Sequence, residues 1–585
     1  MNSPRLELPD FEKFAVSFDE LLQKGVAVRI QKGDPKQSNP HLILDPAAFR
    51  QRFPWTDIPS PSSAQESSKD LEAAVPRPPL YKDRRRLVVF VGLMLAWLFK
   101  GFDDTVITTI VPALCRKFDS LPQIAWFSAA YFLPQACLYI GFGKLAQVTN
   151  LRWMALLDGL VLTIGSVICI IASSAPVFII GRVVTGVGIA AGVPLCATIL
   201  IDITSPEERP TYMASCVGVD VISLAFGALL GGYLETEMDY RWAFAFTIFG
   251  AVLSVGLIAA AYEQPRRDTD GLPMAEHLRR FDFFGFGFLS LFSVLLLVGI
   301  QLAAQNNEWV SAPVIACLVV SVLMFACFVV QQAKYDDPDN RLLPRGLFNR
   351  DISLLMAFGF FVMFAMYGVY YYLSTYFQTV KGLSSFNAAV SLLAFFLASG
   401  FSSILTGVSM MWLPWANIII LIASTLAVVG TFLLTTMNEY TEPLHAGLLS
   451  IISAVGFGAS QTLAIVFSQS WAAPEHQSFI VSVALMVQLF GGTLGLVLGG
   501  SVLNTQILYR VDQLDGKLTG DQISAVTQAL AMPDRIREFV PDDLIEPLLE
   551  VFSSSIQTVF YACAAAVSVA WILSVCMRWH RMNKK

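Results

Sequence analysis

Long apolar runs separated by short polar segments dominate the chain from Leu87 onward. A helix rises 1.5 Å per residue, so a run of about 20 apolar residues can cross a hydrocarbon core of about 30 Å. Fourteen runs meet this need, and their predicted spans are 87–112, 123–145, 153–172, 177–200, 211–233, 242–262, 282–303, 311–331, 352–378, 386–408, 413–435, 444–468, 479–503 and 556–577. The pattern predicts an all-α polytopic membrane protein.

The composition agrees with this prediction and excludes several classes of function. The chain is 55% hydrophobic and 14% charged, whereas soluble domains average about 45–50% apolar and about 25% charged residues. Its net charge of -6 comes without a basic stripe, so we expect no nucleic-acid partner. The nine cysteines form no CxxC pair, and the five histidines are scattered. Neither metal sites nor disulfides are expected. Motifs for ATP hydrolysis and for membrane hydrolases are absent from the sequence, so we expect no enzyme activity and no cofactor.

The distribution of Lys and Arg predicts the orientation of the helices. Basic residues concentrate at one set of helix ends, which by the positive-inside rule places both termini in the cytosol. Residues 1–86 are polar and end in a Ser/Pro/Glu-rich tract, which predicts a mostly disordered tail. The predicted domains are the tail 1–86, a six-helix bundle 87–262, cytosolic loops with linker helices 7 and 8 in 263–350, a second six-helix bundle 351–577 with an extracellular segment 504–555 that resembles a small helical cap, and a cytosolic end 578–585.

Glycine clusters indicate that the two bundles are repeats. In the first half the clusters comprise Gly186, Gly188, Gly227, Gly231 and Gly232. Similar clusters recur eight helices later, in 456–458 and 491–500, with nearly the same separation. Two six-helix halves with an inserted helix pair explain this spacing. Glycine enrichment at membrane helix contacts is the alternative explanation.

Three charges lie within the first apolar run, namely Lys100, Asp103 and Asp104. A charge at the bilayer centre costs at least about 2.5–3.5 kcal/mol, so such residues face a partner or a cavity. Lys100 precedes the two acids by three and four residues, which places all three close together on a helix. Lys100 can neutralise only one of the two acids, so the other acid needs a different partner. Arg182 in the fourth predicted helix lies at the depth of Asp103 and is the candidate partner.

Asp220 is a further acid, near the middle of the fifth predicted helix and without a partner nearby in the sequence. Apolar surroundings favour a neutral carboxyl, which suits a group that takes up and releases protons. The candidate charged site therefore comprises Lys100, Asp103, Asp104, Arg182 and Asp220, of which Asp220 is the candidate proton carrier. Polar contacts that fix helix packing are the alternative.

An aromatic helix face suggests a substrate cavity. Tyr367, Tyr370 and Tyr371 lie at helical spacing, as in a cavity for a bulky, flat, largely apolar solute. An interfacial aromatic belt gives the same pattern. The other candidate cavity residues are Tyr131, Phe395, Gln461 and Gln488.

Several motifs resemble the fourteen-helix drug:proton antiporter branch of the major facilitator superfamily. They are "FDDTVITTIVP" (102–112), "WFSAAYFLPQ" (126–135), "GRVVTGVGIAAG" (181–192) and "YRWAFAF" (240–246). The resemblance implies the major facilitator fold and proton antiport, and it implies coupling roles for Asp103 and Arg182.

Two motifs depart from the family pattern. The loop after the second helix reads "GKLAQVTNLR" and keeps Gly143 and Arg152, but Gln147 replaces the usual acid. The fifth helix reads "SLAFGALLGG", in which Ser223 and Ala228 replace the Gly and Pro of the antiporter motif.

Together these features predict a monomeric proton antiporter of the cell membrane that exports small hydrophobic organic compounds such as toxins, drugs or secondary metabolites. Its expected partners are that substrate, protons and the lipid bilayer. An uptake facilitator or symporter is one alternative, and a non-transporting sensor on a transporter fold is another. A vacuolar or vesicular membrane fits the sequence equally well.

Overall fold

Fourteen long helices make up the described part of the chain. A computed structural model describes residues 28–31, 41–44, 80–118, 124–265, 281–306, 309–335, 341–344, 347, 349–410, 416–473, 476–513 and 542–578. Within them the helices are α1 Arg84–Phe118, α2 Ile124–Val148, α3 Leu151–Ile171, α4 Ala175–Ile203, α5 Arg209–Glu237, α6 Arg241–Ala261, α7 Phe283–Asn306, α8 Ala312–Lys334, α9 Arg350–Thr379, α10 Ser385–Ser409, α11 Ala416–Leu434, α12 Pro443–Trp471, α13 Gln477–Gln513 and α14 Asp542–Cys576. Each corresponds to one predicted span.

Twelve of these helices, α3–α14, are long and apolar enough to cross a membrane. The α1 helix is not among the twelve, because Lys100, Asp103 and Asp104 interrupt its apolar run. The α2 helix is also not among them, and it carries the polar residues Gln135 and Lys144. Helices suit this setting because they satisfy their own backbone hydrogen bonds inside a bilayer.

Several helix ends differ from the predicted spans. The α1 helix begins at Arg84 and follows a 3₁₀ turn at Leu80–Lys82. Both α13 and α14 extend into the predicted segment 504–555, so its two ends are continuations of membrane helices. Residues 514–541, which include the middle of the predicted cap, lie outside the described residues.

The two halves repeat the same packing. In the N-terminal half α1 packs on α5 and α6, while α4 packs on α2 and α3. In the C-terminal half α9 packs on α13 and α14, while α12 packs on α10 and α11. Each contact recurs eight helices later, which confirms two six-helix halves with α7 and α8 inserted between them.

Contacts between the halves are most extensive in two helix pairs, and α4 with α13 and α5 with α12 add smaller ones. The α5 helix packs along α10, and α2 packs against α13, while α7 contacts both α2 and α13. The beginnings of α1 and α3 lie on one side with the end of α6, since Arg85 pairs with Glu263 and Gln264 accepts a hydrogen bond from the amide of Leu151. We call this the inner side.

The N-terminal unit, Met1–Pro78, is separate from the helical unit. Its described residues form two strands, β1 Val28–Gln31 and β2 His41–Leu44. They pair antiparallel, with Val28 opposite Leu44. This pairing was not predicted by the composition of the tail, and the helical unit begins at Pro79, before the predicted boundary at residue 86.

Candidate proton and substrate site

The site begins with a close contact between α1 and α5. A Cβ atom at Gly101 would lie 1.9 Å from the Ser223 hydroxyl and 2.4 Å from the backbone oxygen of Asp220. Only glycine fits this approach. Ser223 donates to that same backbone oxygen at 2.6 Å, so the serine that replaces the motif glycine packs against Gly101.

Lys100 joins two carboxylates within this contact. Its ammonium donates to Oδ2 of Asp104 at 2.8 Å, one helical turn along α1, and to Oδ1 of Asp220 on α5 at 3.1 Å. The side chains of all three are nearly buried. Asp220 has no partner nearby in the sequence, but in the structure Lys100 is its cation partner. Its partner comes from a helix that is remote in sequence, which a search along the chain does not reveal.

Asp103 turns away from Lys100 and pairs with Arg182. Oδ2 of Asp103 accepts from Nη1 of Arg182 at 2.8 Å, and both side chains are fully buried. The guanidinium lies 4.1 Å from the ring centroid of Tyr131, in a cation–π contact. Thr247 on α6 donates to the other oxygen of Asp103 at 3.3 Å. The structure confirms the pairing that was predicted from helix depth.

These five groups form what we call the central charge cluster, namely Lys100, Asp103, Asp104, Arg182 and Asp220. Two cations face three carboxylates, so the cluster carries one net negative charge when every member is ionised. In the C-terminal half, every Asp, Glu, Lys and Arg of α9–α14 lies within about three turns of a helix end. The buried charge at mid-membrane thus belongs to the N-terminal half.

Aromatic side chains of the C-terminal half approach this cluster. Tyr367 of α9 lies near Lys100, and so does Tyr139 of α2 from the N-terminal half. The ring of Tyr367 packs 5.2 Å from that of Tyr370, which in turn packs 5.4 Å from Phe396 on α10. Tyr367, Tyr370 and Phe396 form what we call the aromatic wall, which lies beside the central charge cluster.

Two of the predicted cavity aromatics are not part of that wall. Phe395 is fully buried and packs against Phe396 and against Phe457 of α12, so its ring meets Tyr370 only through Phe396. Tyr371 is 37% exposed, and its ring packs edge-on against Tyr372. Phe396 is the aromatic of α10 that reaches the wall.

Several buried polar atoms here have no hydrogen-bond partner among the described residues. They include Oδ1 of Asp104, the Tyr131 hydroxyl, Oε1 of Gln461 and both amide atoms of Gln488. The Tyr131 hydroxyl lies next to the Asp104 carboxyl. Gln488 lies against Gly359 of α9, and Ala464 of α12 lies against the same glycine. Since buried polar atoms are nearly always satisfied in proteins, this set indicates room for water or a ligand.

The motif after the second predicted helix lies in a contact between α2 and α13 on the inner side. A Cβ at Gly143 would lie 2.3 Å from the Ser482 hydroxyl of α13. Gln147, where the family has an acid, donates to Ser478 at 3.4 Å. Arg152 is exposed, and no ion pair of its side chain occurs in the described part of the chain. The Lys144 ammonium of α2 lies 5.8 Å from the ring centroid of Phe479 on α13, so the two halves touch here through hydroxyls, an amide and a cation–π contact.

The remaining motif glycines allow close helix contacts. Gly186 faces the backbone oxygen of Tyr131 on α2, and Gly188 faces the backbone of Leu162 on α3. Gly227 and Gly231 both face α1, whereas Gly232 faces Phe386 of α10 across the two halves. The α5 helix thus uses opposite faces for the cluster and for the other half.

Sequence reasoning missed some of the residues that complete the site. Thr247 and the Gly101–Ser223 contact carried no separate signal, because each depends on a partner from another helix. Tyr139 and Gln135 could have been found from their spacing, since they lie one turn apart and the tyrosine donates to the amide oxygen at 3.0 Å.

Comparisons with known proteins agree with this architecture. Residues 93–496 match the family model of the Major Facilitator Superfamily. The chain is 27% identical over 497 residues to the MFS-type transporter VdtG of Byssochlamys spectabilis, covering 85% of this chain and 88% of that one. It is 25% identical over 500 residues to the MFS-type efflux pump MFS1 of Arthroderma benhamiae, covering 85% and 92%. The solved structure of the human organic anion transporter MFSD10 has the same fold, with a TM-score of 0.54, 16% identity and coverage of 85% of this chain and all of that one.

Proposed function

This chain belongs to the Major Facilitator Superfamily and is a multi-pass membrane transporter, and from that premise we propose that it exports hydrophobic organic compounds in exchange for protons. The observation that carries the proposal is the net negative charge of the central charge cluster. A buried cluster with one charge in excess is stabilised by one bound proton. Proton binding would neutralise it.

Antiport requires that proton and substrate exclude each other. A substrate that donates a hydrogen bond to Asp104 or Asp220 binds best when that carboxylate is ionised, and its binding then favours release of the proton. Oδ1 of Asp104, which has no hydrogen bond in the described residues, offers such an acceptor. Substrate binding should accordingly strengthen as the pH rises.

The aromatic wall supports the substrate class. Tyr367, Tyr370 and Phe396 offer flat apolar surface, and the amides of Gln461 and Gln488 offer a few polar contacts. Such a lining suits a bulky, largely apolar organic molecule. Relatives described as efflux pumps support outward transport, and we place the protein in the cell membrane with both termini cytosolic.

Dye release from intact cells tests the proposal. Cells that lack their own drug exporters are loaded without an energy source with a panel of hydrophobic dyes, including rhodamine 6G, and are then re-energised. Cells that express the protein should release at least one dye faster than cells without it, and a protonophore should abolish the difference. Greater dye uptake would indicate an importer, and no change with any dye would contradict export of this substrate class. An Asp103→Asn/Arg182→Met variant is the transport-deficient control.

A further inference from the structure

A small cavity lies inside the N-terminal half, between α1, α3, α4 and α6. Its volume is about 40 Å³, which is room for about two or three water molecules. Most of its lining is apolar. The polar or titratable groups that line it are Lys100 of α1, Asp158 of α3, Cys196 of α4 and Ser254 of α6.

Asp158 is held in this cavity without a partner. Its Oδ1 atom is buried and has no hydrogen bond among the described residues. A Cβ at Gly192 of α4 would lie 2.6 Å from the other carboxyl oxygen, so the glycine leaves a notch that the carboxyl occupies. No ion pair of Asp158 occurs in the described part of the chain. Its depth in α3 suggests an interfacial residue, but the carboxyl points into the bundle.

An unpaired carboxyl in such a place needs either a proton or water. Transfer of an isolated carboxylate into apolar surroundings is so costly that the group neutralises instead. Besides Asp158, the titratable side chains that line the cavity are Lys100 from α1, whose ammonium donates to Asp104 and Asp220, and the Cys196 thiol from α4. The α6 helix contributes only the Ser254 hydroxyl.

We infer that Asp158 is a second proton-binding site, connected by water in this cavity to Lys100 and so to the central charge cluster. Lys100 lines the cavity and also contacts Asp104 and Asp220. Asp158 is the eighth residue of α3, so it lies about 10 Å from the inner end of that helix. The site therefore lies between the cluster and the inner side, where an exporter driven by proton entry must release its proton. The inference rests on the proposed antiport for this role.

Infrared titration of the purified full-length protein tests the proton site without any substrate. The probe is the proton itself, read from the carbonyl stretch of protonated carboxyl groups as the pH is raised. The wild-type spectrum should contain a titrating component that Asp158→Asn removes and that Asp158→Glu restores at a shifted frequency. Ser254→Ala, which alters the same cavity but no carboxyl, should keep the component.

The connection to the cluster has its own readout. Replacement of Lys100 by Gln should move the pH range over which the Asp158 component titrates. An unchanged band in Asp158→Asn would overturn the inference, because Asp158 would then hold no exchangeable proton. If the Asp158 component titrates over the same pH range in Lys100→Gln as in the wild type, the connection to the cluster is overturned. Failure of dye export alone would contradict only the proposed function, since the titration does not depend on transport.

Discussion

At the scale of single residues, the Asp103–Arg182 pair is the most deeply buried charge contact of the site. Both side chains are fully buried, and Nε and Nη2 of Arg182 have no hydrogen-bond partner among the described residues. Tyr131 covers the guanidinium, and Thr247 holds the carboxylate. Removal of one partner from a buried ion pair leaves an uncompensated charge and typically costs about 3–5 kcal/mol.

We therefore expect Asp103→Asn and Arg182→Met each to destabilise the protein by about 3–5 kcal/mol. The double variant should recover most of this loss, because it removes both charges, but it should not recover proton-driven efflux. Thermal unfolding of the purified variants measures the first effect and dye release measures the second. Full transport by the double variant would show that the pair only fixes helix packing.

The same scale shows how far the sequence could predict the site. Counting residues from the helix ends was enough to pair Asp103 with Arg182, because both lie at one depth. Depth alone could not pair Lys100 with Asp220, since that contact also depends on which faces of α1 and α5 meet. It also could not show that Asp158 faces inward. Tertiary packing decides how each helix is rotated about its axis. The apolar sequence of a membrane helix does not specify this rotation.

At the scale of helices, the contact between α1 and α5 positions the cluster. Gly101 lets the helices approach, and Thr105 of α1 donates to the backbone oxygen of Leu224 on α5 at 2.8 Å. Helix existence was predictable, because fourteen apolar runs each correspond to one helix. The helix ends were not, because α1, α13 and α14 continue as regular helix beyond their apolar runs.

A methyl group at position 101 should disturb this contact. Gly101→Ala places a Cβ against a backbone oxygen that cannot rotate away, so α1 and α5 must separate, at a cost of about 1–3 kcal/mol. We expect lower thermal stability and slower dye efflux. Gly256→Ala on α6 is the matched control, because a Cβ there meets nothing within 4 Å. It should leave efflux unchanged, and an equal loss in both variants would contradict this account.

At the scale of the whole molecule, the two halves share one packing pattern but differ in chemistry. The N-terminal half carries the buried mid-membrane charges, and the C-terminal half supplies the aromatic wall from α9 and α10. With the proton site in one half and the apolar surface in the other, the proton and the organic substrate would both bind at the interface between the two halves. On the inner side the halves meet through the hydrogen bond of Gln147 to Ser478 and through the Lys144 ammonium over the Phe479 ring.

Proton movement in reconstituted vesicles tests the central claim most directly. Purified protein is placed in liposomes that contain a trapped pH-sensitive dye, and a gradient of the exported compound identified in cells is imposed. The wild type should move protons against the compound's flow, and the response should vanish in empty liposomes. Asp220→Asn leaves the cluster neutral without a proton, so this variant should still exchange compound but should move no protons and lose the pH dependence of exchange. Proton movement in Asp220→Asn equal to that of the wild type would contradict the account.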